Sequence, residues 1–360
     1  MSIQWADDFS RYGTGSSSRS AMLDGLPYAI LGSTGNGGEV VADPDTNITG
    51  RAYYLGASSN DWKRDFRVAL PTVITTNTLG MVLRFYVASL PGADNARPTP
   101  LQFQNGSGTI ILMARIEQNG SITVHGLVSS VLSEVADTVN PAVQPASWNH
   151  YEMIHNNSTG AGSLYLNGVQ ILTWTGVDTG ESLELVNSSR RNGSTEGSAG
   201  YIKDFVVWDG TGSQNNSLLG TVIVRRLNPN ADSSLGGWTP STGTTGFNLL
   251  AKDAPDDANY MSADGTPPAA MLYDLENLPA DVTSVKALLS VVRMQKVDGG
   301  DATVQAALSP NGTNFDLGAD RPITSAFSYY FDVSELDPAT ATAWSPSAVD
   351  SAVLRINRTT

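Results

Sequence analysis

Trp148-Asn149-His150-Tyr151-Glu152-Met153-Ile154-His155-Asn156-Asn157 opens a passage that continues through Gly162-Ser163-Leu164-Tyr165-Leu166-Asn167-Gly168-Val169-Gln170-Ile171-Leu172 and closes at Gly200-Tyr201-Ile202-Lys203-Asp204-Phe205-Val206-Val207-Trp208-Asp209-Gly210. Tyr151, Met153 and His155 alternate with Glu152, Ile154 and Asn156, the period of two expected of a strand with different chemistry on its two faces. Asn167-Gly168 stands between two apolar runs, and Asn-Gly readily supplies the two positive φ angles of a type I′ turn. A hairpin is expected there. Asn119-Gly120 separates residues 110–116 from 122–125 and predicts another hairpin by the same reasoning. Together these segments imply a meandering antiparallel sheet.

Working outward, residues 51–54 and 66–70 read as short strands, and 78–89 as a longer one stopped by Leu90-Pro91-Gly92. The opening segment, 3–12, is expected to deliver Trp5 and Phe9 to the first core, with a Gly/Ser loop at 13–20. Residues 127–137 suit a short helix and a strand equally. Strands at 201–208 and 218–227 complete a first unit. Residues 228–246, NPNADSSLGGWTPSTGTTG, are nearly all turn formers. Beyond them, runs at 269–275, 284–297, 302–308, 325–333 and 352–356 form a second strand-like set, with turns at Asp298-Gly299-Gly300-Asp301 and Asn311-Gly312. The expected organisation is an all-β chain: a sandwich over 1–227, a linker or inter-domain loop at 228–246, and a smaller β-sandwich over 247–360.

Composition agrees with a turn-rich β protein. The chain has 360 residues, 35 Gly, 18 Pro, no Cys and 16% charged residues, enough length for two cores. No apolar run is long enough to span a bilayer and no leader pattern opens the sequence, so the expectation is a soluble protein made in the cytoplasm, without membrane insertion. Asn-X-Ser/Thr triplets such as Asn47-Ile48-Thr49 follow from the Asn/Ser/Thr richness of the chain. Thirty-five acidic against 21 basic residues give a formal charge of −14, which repels phosphate backbones and argues against nucleic-acid binding. The short basic patches, Lys63-Arg64 with Arg67, Arg190-Arg191 and Arg225-Arg226, are not interleaved with aromatics.

The Trp-x-x-Tyr strand at 148–151, the Ser-Leu-Tyr-Leu-Asn-Gly hairpin at 163–168 and the Tyr-Ile-Lys-Asp-Phe-Val-Val-Trp-Asp strand at 201–209 resemble the laminin-G-like, or concanavalin A-like lectin/glucanase, jelly roll over the first two thirds of the chain. With Gly236-Gly237-Trp238-Thr239-Pro240 and Asp256-Asp257-Ala258-Asn259-Tyr260, the whole chain resembles virion proteins of tailed bacteriophages. That resemblance implies a non-enzymatic structural protein, tail-associated or on the particle surface. It would be assembled in the bacterial cytoplasm into the virion, contact other virion proteins as a homo-oligomer (a trimer first), and serve host attachment. The alternatives are a carbohydrate- or receptor-binding module recognising a host surface glycan, or a capsid decoration protein.

Catalytic patterns are missing from the sequence. A glucanase would need paired carboxylates two apart on one strand face, and Glu181-Ser182-Leu183-Glu184 has the wrong spacing. His125, His150 and His155 form no ligand array and read as ordinary strand residues. No catalytic, cofactor-binding or metal residue is assigned, and no cofactor is expected. Asp43-Pro44-Asp45-Thr46-Asn47 offers alternating oxygens that could meet a cation, as do Asp253, Asp256 and Asp257, but both read better as turns. For sugar stacking the loop aromatics are Tyr53, Tyr54, Trp62, Trp174, Trp238 and Tyr260. Trp148, Trp174 and Trp208 are expected in the core, leaving Trp62 and Trp238 as the rings to mutate first.

Overall fold

A computed structural model of the chain describes residues 3–12, 14, 22, 26–28, 38–45, 51–55, 64–75, 77–91, 97–190, 200–252, 254, 256–263, 269–297, 299–310 and 320–359. It divides into two compact units, 1–23 with 27–224 and 24–26 with 225–360. No helix among the described residues is long and apolar enough to cross a membrane.

The first unit is a sandwich of two antiparallel sheets. Its strands are β1 (Ile3–Asp7), β2 (Glu39–Ala42), β3 (Arg51–Tyr54), β4 (Arg64–Ile74), β5 (Thr78–Val87), β6 (Pro98–Gln104), β7 (Ile110–Ile116), β8 (Ile122–Val128), β9 (Val131–Asp137), β10 (Trp148–Asn156), β11 (Ala161–Leu166), β12 (Val169–Trp174), β13 (Leu183–Arg190) and β14 (Gly200–Asp209). One sheet runs β12-β11-β10-β5-β14-β3-β2 with β1 also on β14; the other runs β4-β13-β6-β7-β8-β9. Alternation decides which side chains meet between them. Tyr53 and Phe205 of the first sheet pack on Phe66 of the second, with ring centroids 5.2 and 5.1 Å apart, and Phe9 joins at 5.4 Å from Phe66. Trp5 and Phe9 are fully buried, as the opening segment predicts. Asp7 anchors that segment by accepting hydrogen bonds from the Tyr12 and Tyr28 hydroxyls, each 2.5 Å.

Both Asn-Gly pairs make hairpins, by different turns. Asn167 and Gly168 have φ of 51° and 80°, the two positive angles of type I′. At the other hairpin only Gly120 is positive, at 80°. There the Gly120 N–H donates to the Glu117 carbonyl at 2.9 Å and the Glu117 N–H to the Ser121 carbonyl at 2.9 Å. Five residues therefore separate the last strand pair, Ile116 and Ile122, and the turn is the longer kind that ends in a left-handed glycine. Residues 127–137 resolve as the β8–β9 hairpin, not a helix, with Ser129 and Ser130 at its turn.

One expected strand does not form. Residues 218–227 lie outside every strand; the backbone N–H groups of Leu219, Gly220, Val222 and Val224 donate to side chains of the sheet instead of to a neighbouring strand. Within the expected linker, Pro229–Ser234 forms β15 and pairs with β18 (Met271–Leu275), so it belongs to the second unit's sheet. The remaining strands are β16 (Thr239–Pro240), β17 (Met261–Ser262), β19 (Leu288–Met294), β20 (Thr303–Pro310), β21 (Arg321–Pro322), β22 (Ser328–Ser334), β23 (Leu336–Asp337), β24 (Thr342–Ala343) and β25 (Ala352–Arg358). A sheet β15-β18-β25-β20-β21 shares an apolar core with the two-stranded antiparallel sheet of β19 and β22, through Tyr273, Val304, Ile356 and Val292. The turn at Asn311-Gly312 and residue Asp298 lie outside the described residues.

Candidate functional site

The outer face of the eight-stranded sheet carries aromatic side chains beside charged ones. Strand alternation turns Tyr53, Phe85, Tyr151 and Ile202 into the core, and so Tyr54, Tyr86, Trp148 and Tyr201, at odd spacings from them on the same strands, face outward. The register then aligns them: Tyr54 pairs with Tyr201, Tyr201 with Tyr86, and Tyr86 with Trp148. Four aromatic residues thus cross β3, β14, β5 and β10 in one row, each half-buried. Successive ring centroids are 4.9, 5.7 and 5.6 Å apart, with interplanar angles of 32°, 84° and 63°. Burial first, then the neighbouring Tyr54 and Tyr86, pushes the Tyr201 phenol up, so it stays neutral.

A charged row lies one step further along the strands, where His150 pairs with Arg84 and Arg84 with Lys203. The Arg84 guanidinium sits 5.8 Å from the Trp148 ring centroid, within cation–π reach. It also forms an ion pair with Asp204. Asp204 reaches this face because of a β-bulge. The β14–β5 register shifts between Lys203 and Val206, and Asp204 takes a φ of 50°. An extra residue in one strand re-aims a side chain in this way. Burial raises the Asp204 carboxyl, with Arg84 opposing. Lys203 pairs with Asp43 at 2.8 Å, and the Trp148 Nε1 donates to the other oxygen of Asp43 at 3.0 Å.

Next to these rows residues 218–224 cross as a strap. Glu152, 1% exposed, accepts hydrogen bonds from the Leu219 N–H at 2.7 Å and the Gly220 N–H at 3.0 Å. His150 Nε2 accepts from the Val222 N–H at 3.4 Å, and Asp204 from the Val224 N–H at 2.9 Å. Accepting at Nε2 requires a neutral ring there. Burial, then Arg84, lowers His150 to about 4, which keeps it neutral. His155, buried on the opposite face of the same strand, is lowered to about 4 by burial.

The sequence candidates fall elsewhere or take structural roles. Tyr54 joins the row; Tyr53 is core, Trp174 is buried, and Trp62 lies outside the described residues. Trp238 packs against the second unit's core and donates to the Ala269 carbonyl at 3.2 Å, while Tyr260 is exposed. Trp148, expected in the core, is half-exposed on the outer face. Asp43 is a turn residue with an ion pair, accepting from the Asp45 N–H at 2.9 Å; Thr46 and Asn47 lie outside the described residues. Asp256 accepts from the Asn259 side chain at 2.7 Å and Asp257 pairs with Arg293 at 2.9 Å, while Asp253 lies outside the described residues. His125 lies 3.5 Å from Arg115, and burial, then Arg115, lowers its pKa. Among the described residues no three His, Cys, Asp or Glu side chains are grouped so as to hold a metal ion. Tyr86 and Tyr201 were missed as stacking candidates. The available signal was that each shares strand parity with a charged residue two positions away, Arg84 and Lys203, and so faces outward.

No family model and no curated protein sequence matches the chain. Among solved structures it is similar to a sialidase, with TM-score 0.41, 11% identity, and coverage of 57% of this chain and 18% of that one. It is similar also to the receptor-binding domain of botulinum neurotoxin C/D mosaic serotype, with TM-score 0.40, 13% identity, and coverage of 57% and 47%. A third likeness is to the carbohydrate recognition domain of Emp46p, with TM-score 0.40, 10% identity, and coverage of 57% and 95%. The chain therefore spans less than half of the sialidase and of the neurotoxin structure.

Proposed function

We propose that this chain is a non-catalytic binding module whose first unit recognises a glycan on the outer face of the eight-stranded sheet. The observation that carries this reading is the in-register row Tyr54, Tyr201, Tyr86 and Trp148. Sugar rings present C–H edges that stack on aromatic faces, and half-buried rings are held in place while still offering a face. A row held by strand register costs little ordering on binding, because its members are already fixed. Arg84, whose side chain stays partly exposed beside the row, offers guanidinium N–H donors to sugar hydroxyls.

The direct test is a glycan array followed by affinity electrophoresis through gels cast with the polysaccharides retained. Wild type is expected to be retarded, and Tyr86→Ala and Trp148→Ala to lose about tenfold or more in affinity, about 1.4 kcal/mol. Binding that survives both changes in folded protein removes the row from the site. The resemblance to tailed-phage virion proteins supports a place for the module on a particle surface, attached through other virion proteins. Immunogold labelling of particles tests this, and particles without label would sink it.

A further inference from the structure

We infer that the ligand of the aromatic row is an uncharged, single glycan chain laid across β3, β14, β5 and β10 and spanning several sugar rings; this rests on the glycan-binding reading above. Three observations point to it. First, the cations beside the row are matched within the protein: Arg84 pairs with Asp204 and Lys203 with Asp43. An anionic sugar there would meet cations whose charge is already neutralised by buried carboxylates, and displacing one of those carboxylates would leave it buried and alone, which is costly. Second, the wider field disfavours anions. Glu39 stands in register beyond Tyr54 at one end of the row, and the chain carries a formal charge of −14. Third, the row is long and turned. A single sugar covers one ring, whereas the row takes three steps of 4.9, 5.7 and 5.6 Å, so added sugars gain added contacts. The ring planes rotate at each step, which suits one chain that can follow the turn and not a flat crystalline sheet of parallel chains.

The experiment uses the full chain and matched polysaccharides: hydroxyethyl cellulose against carboxymethyl cellulose, and dextran against dextran sulfate, beside array glycans of both charge types. The expected result is that neutral ligands bind about tenfold or more tightly than their anionic counterparts. Their binding should vary little with added salt, because no counter-charge is being screened. Affinity should also climb about tenfold from a disaccharide to a hexasaccharide of the bound type, and soluble chains should compete better than crystalline ones. Tyr86→Ala should abolish the effect while leaving the Trp148–Asp43 hydrogen bond in place, so a folding defect at Trp148→Ala does not decide the outcome. Equal or tighter anionic binding that still depends on Tyr86 overturns the uncharged ligand and leaves glycan binding standing. Saturation by a monosaccharide, with no gain in longer oligomers, overturns the extended chain. Absence of any Tyr86-dependent binding, neutral or anionic, overturns both this inference and the function beneath it.

Discussion

The two ends of one sheet face are built from the same alternation and end in opposite states. At the end held by Tyr54, Tyr201, Tyr86 and Trp148 the outward residues stay half-exposed, while further along the same strands Glu152 and Trp208 are 1% and 0% exposed. Strand pattern alone does not separate them. On β10, Trp148, His150 and Glu152 all point outward, yet only the first remains accessible. What differs at His150 and Glu152 is the crossing segment 218–224, four of whose backbone N–H groups donate to Glu152, His150 and Asp204. Exposure at His150 and Glu152 is set by a length of chain that uses side chains as its hydrogen-bonding partners.

The sharpest way to break that contrast is to remove its central acceptor. Glu152→Ala strips the partner from two backbone N–H groups, one of them at buried Leu219. Orphaned buried donors cost roughly 1–3 kcal/mol each, so the variant should lose on the order of 3 kcal/mol. Thermal unfolding would read the loss, and limited proteolysis should cut first within 218–224. Glycan binding by the surviving folded protein should be unchanged, since the aromatic row is untouched. A loss of binding equal to that of Tyr86→Ala would show that the two ends are one site. Gly80→Ala tests the covered end differently. A Cβ there would lie 2.0 Å from Trp208 Cε2, an overlap that forces the indole aside. Overpacking of this kind costs roughly 1–3 kcal/mol, read in the unfolding midpoint, again with the row intact.

Much of the sandwich was legible from period-two patterns and Asn-Gly pairs, because strand pairing and tight turns are local in cause. The strap was not. Residues 218–224 have strand-like composition, and only the tertiary position of Glu152, His150 and Asp204 shows that their donors are met by side chains. Pro229–Ser234 misled in the opposite direction: its turn-forming residues lie on an edge strand of the second sheet, where pairing on one side suffices. The row was half legible. Tyr54 was named as a loop aromatic and Trp148 assigned to the core, whereas Tyr86 and Tyr201 passed unnoticed within apolar runs. Large rings in strands are usually core, and what marks these four as outward is their shared register across strands distant in sequence.

Acid should loosen the covered end before the open one. His150 and His155 sit at about 4 in the folded protein against an ordinary 6.5, so between these values the unfolded chain binds more protons. Stability therefore is full above about pH 6.5 and declines as pH falls toward about 4, by on the order of 1–3 kcal/mol for each histidine. Melting curves taken from pH 7.5 to 4.5 would show the decline, and His150→Gln should flatten part of it. An acid slope unchanged in that variant would mean that the His150–Val222 contact does not contribute.

The smallest effect is expected at the turn that braces the strap from the sheet edge. The Asn167 side chain accepts from the His150 N–H at 2.8 Å, and the Asn167 N–H donates to the His150 carbonyl at 2.7 Å, tying the β11–β12 turn to the strand that holds Val222. A Cβ on Gly168 would have room, since Thr221 Oγ1 lies 3.7 Å away in ordinary contact. The obstacle is the backbone, held at φ 80°. Gly168→Ala should therefore cost about 1–2 kcal/mol through left-handed strain alone, and Gly168→Asn less, because asparagine tolerates that region. If the two variants lose the same stability, the cost comes from crowding against the strap, and the brace reaches Thr221 more tightly than its 3.7 Å contact implies.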